Sequence, residues 1–383
     1  MHRMNAVSIS PASRTSSRKR TVNLALQGGG SHGAFTWGVL DALLDDGRLA
    51  FEGISGASAG AVNAVALAHG FATARAAGGD EAAARAAART ALGRVWHRVA
   101  ALGAPGAMAQ RFAKLLLGGA SGERMRASFG VDPASRWASP YQINPLDINP
   151  LRSLLDQEID FEALATLDTP RVFVSATQVR TGRAEIFHGD RLTLTSVMAS
   201  TCLPTVFQAV AIDGEDYWDG GFSANPALLP LVNECESADI VLVQLNPLSH
   251  AEETPHSPQD ITMRMNELAF NASLMSQMRS IAFINQLLAD GRMQAGAEYR
   301  RLLLHRIDIG SAMEALPSAS KMSTDGAQME RLFQAGRIAA ADWLTHNFDA
   351  LGKRSTVDIE QDYLASEVLA SPTRAAKKLR KSA

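Results

Sequence analysis

The chain has 383 residues, 46% of them apolar and 20% charged, with a formal net charge of −2. That composition supports a sizeable core and excludes global disorder. Two cysteines, Cys202 and Cys235, exclude a disulfide scaffold and give no zinc-ligand spacing, and no apolar run approaches the roughly 20 residues needed to span a bilayer.

The near-neutral total hides an asymmetry. Residues 1–20 hold five basic residues and no acid, and residues 371–383 hold another five and no acid. The body between them therefore carries 27 basic residues against 39 acidic ones, which argues against a nucleic-acid partner. The two ends read as basic tails, solvated or touching an anionic membrane surface. Val22, Leu24, Ala25 and Leu26 follow the first tail but end at Gln27, which is too short for the apolar region of a secretory signal. The expected location is the cytoplasm, with reduced thiols and peripheral contact with membranes at most.

In chain order, Val22 to Leu26 reads as a buried strand and Ala34 to Leu44 as a helix. Phe51 to Ser55 is a second strand and Ala59 to Ala68 a second helix, an alternation that points to a parallel sheet with helices on its faces. Residues 72–100 read as two surface helices broken at Gly78-Gly79. The glycine-rich stretch 103–145 reads equally as a lid or insertion over a site and as a helical excursion completing the core. Met108, Phe112, Leu115, Leu116 and Leu117 there suit an acyl channel or a core helix. Asn149 to Leu164 is helical, with Pro150 in its first turn. Arg171 to Thr177 and Ile240 to Leu245 are strands. Beyond residue 258 the pattern is helical, over Met263 to Ile284 and Gln328 to Phe348.

Two constellations carry chemistry. Gly28-Gly29-Gly30-Ser31-His32-Gly33 lies between the first strand and the first helix, where glycines leave amide N–H groups uncovered at a helix N-terminus. Gly28, Gly30 and Gly33 with Glu52 satisfy a dinucleotide fingerprint, but the same loop suits an oxyanion hole. Gly56-Ala57-Ser58-Ala59-Gly60, directly after a strand and before a helix, has the context of a nucleophile elbow and tips the balance to acyl transfer with Ser58 as nucleophile. A serine needs a base. Of the later histidines only His188 stands at a strand end, where Gly189 and Asp190 make a turn the better reading. His250 and His256 sit in a polar, proline-bearing loop. Asp219-Gly220-Gly221 reads as a sharp turn that leaves a carboxylate able to approach another loop closely.

G-G-G-x-x-G, G-x-S-x-G and D-G-G, in this order, resemble the signatures of the patatin-like phospholipases. The resemblance extends to Val174-Ser175-Ala176-Thr177, to Ala199 through Pro204 with Phe207, and to Asn225-Pro226, and it covers residues 21 to 245. It implies a three-layer α/β/α hydrolase domain with a mainly parallel sheet over residues 21–245; the helical pattern that follows reads as a mainly helical extension over 246–370. It also implies a Ser58–Asp219 dyad without histidine, with Asp219 as general base. The amides of Gly28, Gly29, Gly30 and Ser31 would form the oxyanion hole, and His32, Gly33, Gly56, Gly60, Gly220 and Gly221 would support it. No metal or cofactor is implied, and the substrate would be an acyl lipid or another ester. His32 stands where the family usually has Arg or Lys, which bears on whether the substrate's head group is anionic. A nicotinamide oxidoreductase leaves Ser58 and Asp219 without a role, and an idle membrane scaffold does the same.

Overall fold

A computed structural model describes residues 19–102, 139–166, 170–248, 254–256, 258–296, 299–310 and 325–364. Both basic tails but for Lys19 and Arg20, most of the 103–145 stretch with its candidate acyl-channel residues, and His250 lie outside them.

The central strand is β1 (Arg20–Leu26), buried along most of its length. It pairs in parallel with β2 (Leu49–Gly56) on one side and β7 (Asp239–Gln244) on the other. β3 (Arg171–Gln178) extends the parallel array beyond β2, and β8 (Leu303–Asp308) extends it beyond β7. β4 (Ala184–Phe187), β5 (Val210–Ile212) and β6 (Glu215–Asp219) are antiparallel additions around β3. The strand order is β5-β6-β3-β2-β1-β7-β8, with β4 also on β3.

Side-chain alternation divides the core into two faces. Val22, Leu24, Leu26, Val241 and Val243 point into one cluster with helices α1 (Gly33–Asp46), α2 (Ala59–Ala76), α3 (Glu81–Leu102) and the helix Gly326–Asn347. Ala25, Phe173, Ile240 and Leu242 point into the other, against the helix Pro258–Ala289 and the short helix Leu229–Glu234. The chain is therefore the three-layer α/β/α structure that the alternation of elements leads one to expect. Within the described residues no helix is long and apolar enough to cross a membrane.

Two features of the C-terminal part differ from the reading of the sequence, besides β5 and β6 and the run of α2 on to Ala76. β8 lies in the segment expected to be a helical extension, yet it is a parallel strand of the same sheet. His305 and Arg306 interrupt its apolar run. The structure gives His305 a buried partner, Asp239 on β7, at 2.9 Å. The C-terminal segment is also bound into the domain rather than appended to it. The helix Gly326–Asn347 crosses α1 with backbone against backbone. A Cβ on Gly38 would run into the Phe333 carbonyl, and one on Gly336 into the Phe35 carbonyl. Arg337 pairs with Asp41 and Asp45 across the same crossing.

Gly336→Ala is expected to cost about 1–3 kcal/mol by forcing these helices apart. A urea midpoint that falls at unchanged slope measures it.

Candidate active site

The site gathers beyond the C-terminal ends of β1 and β2, where open parallel sheets bind ligands. β2 ends at Gly56 and α2 begins at Ala59, so the chain reverses within two residues. Ser58 takes the strain of that reversal, with φ 53° and ψ −124°, a conformation that costs a non-glycine residue roughly 1–3 kcal/mol. The turn closes only because Gly60 has no side chain. A Cβ there would meet the Leu26 carbonyl of β1. The amide of Ser58 donates to Ser200 Oγ at 2.9 Å, which fixes the elbow from a separate helix, Leu194–Ser200. Asn63 Nδ2 donates to the carbonyls of Gly33 and Ala59, both at 3.1 Å, and its Oδ1 accepts from Trp96 Nε1 at 2.8 Å, tying α2 to the glycine turn.

The glycine turn sits across the elbow. A Cβ on Gly28 would lie 2.8 Å from both the Ala57 carbonyl and Ser58 Cβ, so only glycine can approach the elbow serine this closely. Gln27 anchors the turn from below. Its Oδ-like carboxamide oxygen, Oε1, accepts the amides of Leu245 and Asn246, each at 2.8 Å, and its Nε2 reaches Asn271 Oδ1 at 3.2 Å. Asn246 Nδ2 in turn donates to the Gly28 carbonyl at 2.9 Å. No described acceptor takes the amides of Gly29 and Gly30. The Gly28 amide is different, since it donates to Asn225 Oδ1 at 2.7 Å. Of the four amides expected to line an oxyanion hole, that one is already engaged.

Asp219 ends β6 and is completely buried. Its amide donates to the Cys202 carbonyl at 2.8 Å, and its own carbonyl accepts from Thr177 Oγ1 at 2.7 Å, so the backbone that carries the carboxylate is fixed on both sides. Oδ1 accepts from the Gly221 amide at 2.8 Å. Oδ2 is buried without a hydrogen bond of normal geometry. The Ser58 hydroxyl is nonetheless the one side chain that helps hold the charge. Burial outweighs it and the Gly221 amide, and the carboxyl is pushed up to about 7. The elbow and the D-G-G turn, read separately from the sequence, thus converge. Such pairs often tighten only when substrate binds.

His32 stands between the glycine turn and α1 with its side chain fully buried, so it presents no exposed side chain to a head group. Glu52 has another task. Its two carboxylate oxygens accept the amides of Glu236 at 2.6 Å and Ser237 at 2.8 Å, ahead of β7, at the end of the sheet away from the glycine turn. The dinucleotide reading thereby loses its ribose ligand. His188 is exposed, between β4 and a 3-10 turn over Gly189–Arg191. The residues that sequence reasoning left without a role are Gln27, Asn63, Ser200 and Asn246. Their signal was present only as polar residues beside or within apolar segments.

A carboxyl that stays protonated in the folded state up to about pH 7, while the unfolded chain ionises it near 3.8, favours folding at low pH. That advantage falls away as the pH rises from about 3.8 to about 7 and is gone above it. Asp219→Asn is therefore expected to raise the melting temperature at pH 8 and to leave it nearly unchanged at pH 4, as thermal denaturation at the two values would register.

Comparison with known proteins agrees with this geometry. A family model described as patatin-like phospholipase matches residues 24–232. No curated protein matches the chain. Among solved structures, VipD from Legionella pneumophila is 13% identical with a TM-score of 0.37, over 98% of this chain and 82% of that one. The ExoU–SpcU complex of the Pseudomonas aeruginosa type III secretion system gives 18% identity and a TM-score of 0.31, over 87% of this chain and 61% of that one. With its glycine turn, elbow and D-G-G turn inside a matched segment that spans more than half of its length, the chain belongs to the patatin-like phospholipase family.

Proposed function

We propose that the protein hydrolyses carboxylic esters of acyl lipids through an acyl-Ser58 intermediate, with Asp219 as its only proton-transfer partner. The observation that carries this reading is a serine in a strained elbow beside a fully buried carboxyl whose pKa stands at about 7. A serine hydroxyl is a weak nucleophile until a base removes its proton, and a base is most effective when its pKa lies near the working pH. Ionised Asp219 takes the Ser58 proton as Oγ attacks the ester carbonyl. The carbonyl oxygen becomes an oxyanion facing the amides of Gly29 and Gly30, each worth roughly 3 kcal/mol to the transition state. Collapse expels the alcohol, which leaves with the proton from Asp219. Water then loses a proton to Asp219 and attacks the acyl-serine. The fatty acid departs and Ser58 recovers its hydrogen.

The chemistry places no demand on a metal or an organic cofactor. The buried His32 supplies no exposed cation for a head group, which favours neutral acyl esters alongside phospholipids. Buried free thiols at Cys202 and Cys235 suit a reducing compartment such as the cytoplasm.

Fluorophosphonate labelling with peptide mapping is expected to give an adduct on Ser58, none in Ser58→Ala and a rate at least 100-fold slower in Asp219→Asn. An adduct elsewhere would sink the assignment. Turnover of p-nitrophenyl acyl esters is expected to show an acid limb in kcat/KM near pH 7, because Asp219 must be ionised to act. A profile flat down to pH 4 would exclude Asp219 as the base. Phospholipid vesicles and neutral acylglycerols, assayed side by side, separate the two substrate classes.

A further inference from the structure

Asn225 follows the D-G-G turn and is completely buried. Its backbone amide donates to Ser273 Oγ at 3.1 Å, and its Oδ1 accepts the Gly28 amide at 2.7 Å. Its Nδ2 is also buried, and no described group accepts a hydrogen bond from it. The orientation of the carboxamide is not arbitrary. An exchange of O and N would set an N–H against the Gly28 N–H, so the NH2 must face away from Gly28. A buried donor without an acceptor costs roughly 1–3 kcal/mol, and native proteins keep few of them.

Its position suggests what the donor is for. A Cβ built on Gly28 would lie 3.2 Å from Asn225 Oδ1 and 2.8 Å from Ser58 Cβ, so the carboxamide and the nucleophile flank the same point. Asn225 takes up one of the amides expected in the oxyanion hole and carries a buried donor that no described group uses. The bond that it accepts from Gly28 also polarises the carboxamide and makes Nδ2 a better donor.

We propose that Asn225 Nδ2 is an oxyanion donor that completes the hole begun by Gly29 and Gly30, bonding the substrate carbonyl oxygen as its charge develops. This rests on the hydrolase reading above. It assigns Asn225 to the transition state rather than to ground-state binding or to folding alone.

The test uses the full chain and active enzyme counted by fluorophosphonate titration. Asn225→Asp keeps an acceptor for Gly28 and loses the donor. Asn225→Ser is too short to reach and brings no charge. For the donor role, both variants should lose about 100-fold or more in kcat per titrated site, with KM changed by less than about threefold. Affinity for a trifluoromethyl ketone, which forms a hemiketal oxyanion on the serine, should fall by the same factor. If Asn225→Asp does not fold, Asn225→Ser carries the same readouts. A merely structural asparagine would lower the melting temperature and the titrated fraction while kcat per site and ketone affinity stayed within about threefold, and that result overturns the proposal. Failure of the hydrolase reading is distinguishable, because wild type would then give neither a Ser58 adduct nor ester turnover.

Discussion

A serine at φ 53° and ψ −124° does not hold that shape unaided. The strain persists because the surroundings over-determine it: the Leu26 carbonyl packed against Gly60, the Ser200 hydroxyl on the Ser58 amide, and the Asn63 carboxamide bridging two turns. Each support comes from a different element, and the parallel register of β1 with β2 and β7 aligns the strands at whose ends they meet. The sheet acts as a jig. It brings the elbow after β2 and the glycine turn after β1 to the same edge, and β6, running antiparallel on β3, delivers Asp219 to that edge as well.

Burial then does the electrostatic work. Asp219 has no described cation beside it, so nothing offsets the loss of hydration except one amide and one hydroxyl. A carboxyl with an ordinary affinity for protons would be a poor base near neutrality. Removal from water raises that affinity into the neutral range. The fold does contain a buried histidine–aspartate pair, His305 with Asp239, but Asp239 opens β7 and so lies toward the opposite end of the sheet from the elbow. It locks β8 and the Gly352 amide into the domain, since Asp239 also accepts from that amide at 2.9 Å. Similar side chains thus stand at the two ends of one sheet, one at the candidate site and the other holding the domain together.

Much of the site was legible in the sequence because its logic is local. G-x-S-x-G declares itself through steric demands on a tight reversal, and a reader needs only the strand before and the helix after. Asp219 was less visible. A D-G-G turn is an ordinary turn on its own, and its role came through resemblance to a family. What stayed hidden depends on contacts between distant segments: Ser200 meets Ser58, Asn225 meets Gly28, and Gln27 meets Leu245 and Asn246. Nothing in the neighbourhood of a polar residue tells which far backbone amide it will cap. β8 was missed for a related reason, since a histidine and an arginine break its apolar pattern and His305 pairs only in three dimensions. Glu52 shows the converse case, in which a spacing that fits a ribose ligand belongs to a carboxylate holding two loop amides.

The crossing of α1 by the helix Gly326–Asn347 bears on the order of events in the making of the protein. The elbow and glycine turn lie in the first sixth of the chain, but their clamps arrive late. Asn246 and Asn271 hold the glycine turn, Gly336 packs on α1, and Tyr363 donates to Gln244 at 2.7 Å beneath the loop. At roughly 5–20 residues per second, the ribosome releases those parts many seconds after Ser58. Contacts that span so much of the chain also close slowly. The nascent chain therefore carries Ser58 long before the site around it is assembled, and that assembly waits until nearly the whole described domain has been threaded together.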